Sequence, residues 1–280
     1  MILSAFADEI SNELDEQIRT LRRLAIGHID LRSIDTVNVL SIDLGKAREA
    51  RQRLDDGGIR VATIASPIGK QSLRLARIDA LLDDLSRAVE MCRIFGTHLI
   101  RIFSFASDDL QPEYGREVTI ARLAALARRA REEGVTLLLE NEDGTYADTV
   151  SRSKDLLHAI DDPNLRMVLD PANFLKSGEV GGRNAFDTLR PWIVQLHVKD
   201  VDGGGNIVEA GRGRADWPAI VTAMMECDFH GIVSLEPHLA VAHQFGGFTG
   251  VDRFELAARD LRNLLSQVFK DKVQREELQL

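Results

Sequence analysis

Leu137-Leu138-Leu139-Glu140, Met167-Val168-Leu169-Asp170, Val194-Gln195-Leu196-His197 and Val233-Ser234-Leu235-Glu236 share one pattern. Each is a largely apolar run of strand length, and each ends on a residue able to ligate a metal. The polar ends are spaced by 30 (140 to 170), 27 (170 to 197) and 39 (197 to 236) residues. Each interval has room for one helix and its loops. The chain thus repeats strand, ligand, helix. In a parallel β/α barrel the C-terminal ends of the strands converge on one mouth. Three carboxylates and an imidazole gathered there suit one divalent cation: Mn²⁺, Zn²⁺, Co²⁺ or Mg²⁺.

The same repeat extends upstream. Strands are expected at about 2–7, 27–32, 59–65, 98–103, 135–140, 165–170, 191–198 and 231–236. Spread over 280 residues, eight units take about 35 each, the size of a βα repeat. Ile78, Leu81, Leu82, Leu85, Val89 and Cys92 recur at helical spacing, as do Ile120, Leu123, Ala124 and Leu126. Gly27, Gly58, Gly96, Gly134 and Gly231 sit just before strands, where a helix C-cap calls for a left-handed residue. Strands alternating with helices imply a parallel sheet. No G-x-G-x-x-G follows the first strand, which argues against a Rossmann nucleotide site. The expected fold is a single-domain (β/α)₈ TIM barrel spanning 1–280.

Composition narrows the function. A net charge of −9 argues against non-specific nucleic-acid binding, which needs a basic footprint. No apolar run reaches 18 residues, so no membrane span is expected. The first residues, Met1 to Ala7, lack the basic lead and long apolar stretch of a signal peptide and read as a strand. Cys92 and Cys227 have no partner at metal spacing and read as reduced core cysteines. Together these point to a cytoplasmic location.

A single carboxylate at a strand end is more often a helix cap or a salt-bridge partner. Four ligand types in successive units are harder to explain that way. His197 is followed closely by Lys199 and Asp200, and uncompensated charge at the end of a buried strand is costly. A metal would balance it. Glu142 lies two residues after Glu140; it serves the substrate or belongs to the loop, with Glu140 the expected ligand because it follows the apolar run directly.

The segments Leu139-Glu140-Asn141-Glu142, Leu169-Asp170-Pro171-Ala172-Asn173-Phe174, Leu196-His197-Val198-Lys199-Asp200 and Gly231 to His238 together resemble the xylose-isomerase-like TIM barrels. The resemblance covers nearly the whole chain. It implies a divalent metal held by Glu140, Asp170, His197 and Glu236, with Glu140 and Glu236 as catalytic acid and base. It implies carbohydrate metabolism: isomerisation or epimerisation of a small sugar, keto-sugar or sugar phosphate by proton transfer through a metal-held enediolate. The alternative on the same barrel is a lyase of the inosose, dehydroshikimate or 3-keto-glycoside type, since the first proton abstraction is shared. Members often form dimers or tetramers, so a homo-oligomer is open.

The chain departs from the family in two places. Many epimerases have a His three residues after the strand-six Asp, where this chain has Asn173, which can orient a hydroxyl but cannot titrate. Arg212, between Gly211 and Gly213, stands where relatives often have an acid. It either pairs with a substrate phosphate or carboxylate or is a solvent-exposed loop arginine. Arg101, Lys199 and His238 are further candidate substrate groups, and Lys70 is a candidate cover for the site. The loop Gly246 to Gly250 is either a phosphate-holding set of backbone amides or a lid.

Overall fold

The computed structural model describes residues 1–106, 112–179, 181–243 and 246–277. Its centre is an eight-stranded parallel sheet. The strands are β1 (Ile2–Ala5), β2 (His28–Leu31), β3 (Arg60–Ile64), β4 (Leu99–Ile102), β5 (Thr136–Glu140), β6 (Leu165–Leu169), β7 (Ile193–Val198) and β8 (Ile232–Leu235). Their ladder order is β1-β8-β7-β6-β5-β4-β3-β2, and β1 packs beside β2 to bring the sheet nearly to closure. This is a single-domain TIM barrel. All eight expected strands are present, with ends trimmed by up to two residues.

The helices between the strands are α1 (Leu14–Arg23), α2 (Leu44–Asp56), α3 (Ile78–Phe95), α4 (Pro112–Glu133), α5 (Val150–Ile160), α6 (Pro171–Lys176), α7 (Arg183–Leu189) and α8 (Trp217–Glu226), and α9 (Val251–Glu277) follows the last strand. α3 shows why they form. Leu81, Leu85, Ala88, Val89, Cys92 and Phe95 fall on one buried stripe, and Gly96 ends the helix at φ 73°. Gly58 and Gly134 are also left-handed, but Gly27 and Gly231 are not; Ala25 and Asp228 take the left-handed position there instead. Gly231 is required for a different reason. A Cβ there would stand 2.3 Å from the Val194 carbonyl oxygen, so only glycine lets the two strands approach.

The core has two parts. The larger lies between strands and helices and includes Leu139, Leu169, Leu196, Phe186 and Trp217. The smaller comprises Ala62, Leu99, Leu138, Val168 and Ile232. Leu138 and Val168 precede Glu140 and Asp170 by two residues, so they share a face with those carboxylates, inside the barrel. A polar network also crosses the barrel. Gln195 donates to Asp30 (2.5 Å) and Ser234 (2.8 Å), Thr63 donates to Gln195 (2.8 Å), and Ser4 donates to Asp30 (2.7 Å). These groups are all buried and mutually satisfied, so they form a fixed floor.

Candidate metal centre

The four strand ends meet. Glu140 is the last residue of β5, His197 lies within β7, and Asp170 and Glu236 directly follow β6 and β8. Each offers a ligand atom, and these atoms all lie within 4.8 Å of one another. His197 Nδ1 stands between two carboxylates, 3.1 Å from Glu140 Oε1 and 3.2 Å from Glu236 Oε2. All four residues are buried.

Local contacts hold Asp170 and His197 in place. Asp170 caps α6, its Oδ1 accepting from the Asn173 backbone N–H at 3.0 Å, with Pro171 opening the helix. The Asn141 amide makes a reciprocal pair with the Asp170 backbone, donating to its carbonyl (2.7 Å) and accepting from its N–H (2.9 Å). Asn141 thereby extends the β5–β6 ladder one step past the strands and sets where Asp170 points. The Phe6 and His197 rings meet at right angles, with centroids 5.0 Å apart.

Cations surround the cluster. Arg101 Nη1 is 3.2 Å from Glu140 Oε2, Lys199 Nζ is 2.6 Å from Asp170 Oδ2, and Arg32 Nη1 is 3.3 Å from Glu236 Oε1. Yet Glu140 Oε2, Asp170 Oδ2 and Glu236 Oε2 make no hydrogen bond. Arg101 and Lys199 meet the first two as ion pairs, and the third faces His197 Nδ1 at 3.2 Å. Buried carboxylate oxygens are rarely left so. Three buried carboxylates and an imidazole, each with a donor atom within 4.8 Å of the others, fit a metal of the borderline class that takes oxygen and nitrogen donors.

The electrostatics follow from the packing. Burial disfavours the His197 cation, but Glu140 and Glu236 outweigh it and push its pKa up to about 10. Burial pushes Asp170 up to about 6 against the pull of Lys199. Burial also opposes ionisation of Glu140 and Glu236. For Glu140 the charges of His197 and Arg101 prevail, for Glu236 those of Lys199 and His197, and both stay below the usual carboxylate range. The metal-free cluster thus holds a proton on the imidazole between two carboxylates.

The other expected residues divide. Arg101, Lys199, Asn173 and His238 lie against the cluster. The Asn173 amide faces Glu140 Oε1 at 3.5 Å, Glu142 Oε2 at 3.4 Å and the Asn141 carbonyl at 3.0 Å. His238 Nε2 is 3.7 Å from Glu236 Oε1. Glu142 is half-buried at the rim, where it pairs with Lys70 at 3.4 Å, and Lys70 Nζ lies over the Phe103 ring. Arg212 is not brought to the cluster. Its side chain is 60% exposed and pairs with Asp260 of α9 at 3.0 Å, because the backbone around it is held down by Asp200, which accepts from Gly211 and Gly213. The amides of Thr249 and Gly250 are not free for a phosphate either, since both donate to the Glu9 carbonyl at 2.9 Å. Sequence reasoning passed over Glu9 and gave Asn141 no role. Only their position just past β1 and β5 could have marked them. A surface cleft of about 740 Å³ lies away from the cluster, against Met1, Met224, Phe229 and Phe269.

Comparison with known proteins agrees with this architecture. The model of the xylose isomerase-like TIM barrel family matches residues 22–266. A 3-dehydroshikimate dehydratase from Bacillus anthracis is 26% identical over 213 residues, 68% of this chain and 72% of that protein. The structure of D-psicose 3-epimerase with D-tagatose from Clostridium cellulolyticum H10 superposes with a TM-score of 0.72 at 16% identity, covering 96% of this chain and 99% of that one. The IOLI protein with a zinc atom superposes at 0.77 and 15% identity, again over 96% and 99%. At these identities the two structures share the barrel.

Proposed function

The chain belongs to the xylose isomerase-like TIM barrel family, and from that premise we propose that it is a divalent-metal-dependent enzyme that moves a proton next to the carbonyl of a small polyhydroxylated substrate. The substrate class is a sugar, keto-sugar or sugar phosphate, and the outcome is isomerisation or epimerisation. One observation carries this reading: Glu140 and Glu236 each bring a carboxylate oxygen to His197 Nδ1, at 3.1 and 3.2 Å, so that two carboxylates from different strands face one point. Two carboxylates facing one point can take a proton from one side and return it from the other.

Glu140, Asp170, His197 and Glu236 would hold the ion, which when bound supplies Lewis acidity to a carbonyl oxygen and so acidifies the neighbouring C–H. Arg101 is locked by the Ala65 and Ser66 carbonyls, at 3.1 and 3.4 Å, and sits over the Phe6 and Phe103 rings. It thus offers a fixed positive charge to a developing oxyanion. Lys199, paired with Asp170 and 3.7 Å from Glu236 Oε2, keeps Glu236 ionised and able to accept a proton. Phe6 packs its apolar ring against the buried His197.

Elimination is the second reading, favoured by the 3-dehydroshikimate dehydratase among the relatives. It begins with the same proton abstraction and then loses a β-hydroxyl. Incubation of the Mn²⁺-loaded protein with keto-sugars, their phosphates and 3-dehydroshikimate in D₂O tests both. The expected result is deuterium at the carbon next to the carbonyl of one substrate, abolished in Glu236→Gln. Product that has lost water and gained conjugated ultraviolet absorbance would select the lyase. Full exchange by Glu236→Gln would remove the acid/base assignment.

A further inference from the structure

A second group of ligating atoms adjoins the four-ligand cluster. Glu9, His238 and Glu236 each offer one, all within 4.8 Å of one another. Glu9 follows β1, and the other two follow β8, the strand paired with it. His238 Nε2 is 3.4 Å from Glu9 Oε1 and 3.7 Å from Glu236 Oε1.

Two of these atoms are orphans. Glu9 Oε1 and His238 Nε2 are buried and have no hydrogen-bond partner. The other Glu9 oxygen is fully engaged, accepting from the His238 N–H at 2.8 Å and the Thr249 hydroxyl at 2.7 Å. The carboxylate is therefore held still, with its spare oxygen aimed at an imidazole nitrogen beyond good hydrogen-bond range. The 3.4 Å between Glu9 Oε1 and His238 Nε2 matches another geometry. Donors about 2.0–2.1 Å from a tetrahedral ion stand roughly 3.3–3.4 Å apart. The backbone is also bent to seat the ring: His238 has φ 50°, and a Cβ on Gly247 would lie 1.2 Å from the His238 ring.

We propose that Glu9, His238 and Glu236 Oε1 form a second divalent-cation site, with Glu236 bridging it to the four-ligand site through Oε2. Two carboxylate oxygens and an imidazole suit Zn²⁺ or Mn²⁺. Arg32 sets its strength. Gripped by Asp8 at 2.8 and 3.0 Å, its guanidinium donates to Glu236 Oε1 at 3.3 Å, so an incoming cation must displace that bond and face its charge. The second ion therefore binds more weakly and enters after the first. This inference rests on Glu236 being a ligand in the reading above.

The test is titration of metal-free protein with Mn²⁺, followed by calorimetry and electron paramagnetic resonance. The wild type should take two ions per chain in two steps, with spin–spin broadening when the second enters. Glu9→Gln should lose the second step and the broadening while keeping the first. His238→Asn should do the same; asparagine accepts the left-handed backbone, so this variant decides if Glu9→Gln fails to fold. One ion per wild-type chain at saturation would overturn the second site and leave the first. Two ions in either folded variant would also overturn it, and none in the wild type would overturn both readings.

Discussion

His197 is buried between two carboxylates and keeps its proton up to about pH 10 when no metal is present. A divalent ion ligated there needs the neutral imidazole, and it needs Asp170 ionised, whose carboxyl is raised to about 6. Protons and metal therefore compete. Apparent Mn²⁺ affinity should rise steadily from pH 5 to pH 9, with proton release on binding. Calorimetry at several pH values in two buffers of different ionisation enthalpy reads both; an affinity that is flat with pH would contradict the competition. At this scale the clustering of Glu140, Asp170, His197 and Glu236 was legible because each directly follows an apolar run. Asn141 was not, because its task is to pair with the Asp170 backbone on the next strand, a relation that leaves no spacing in the sequence. Arg212 misled because its place between glycines says nothing of Asp260, the residue it pairs with.

At the level of elements, loops hold the mouth against the strand ends. The segment after β3 lies on the end of β4, with Phe103 and Phe105 donating to the Ile68 and Gly69 carbonyls at 2.8 Å. Gly69 has φ 86°, and a Cβ on it would stand 2.1 Å from the Phe103 carbonyl oxygen. Gly69→Ala should cost about 1–3 kcal/mol of stability. Gly27→Ala, with nothing within 4 Å, should cost little. Denaturant unfolding of the two variants compares them, and equal midpoints would mean the loop is not packed as described. The eight barrel strands were readable because buried parallel strands are continuous apolar runs. The short hairpin of Ser33–Ile34 with Val37–Asn38 was not, because two-residue ladders are too brief to show an alternation.

Across the whole molecule, the barrel brings residues from Glu9 to His238 to one mouth. No helix of the described residues is long and apolar enough to cross a membrane. The repeat of strand, ligand and helix made this convergence readable, since barrel topology dictates where strand ends go. The substrate was not readable, because no motif specifies it; only the fold places Arg101, Asn173 and Lys199 against the cluster. The central claim is that Glu140, Asp170, His197 and Glu236 form one tight cation site. The most direct test is elemental analysis of protein loaded with Mn²⁺ or Zn²⁺ and dialysed against metal-free buffer, wild type beside His197→Ala. The account predicts about one ion retained per wild-type chain, the more weakly held second ion being washed out, and none in the variant. A wild type that retains no metal, or a folded His197→Ala that retains as much, would contradict it.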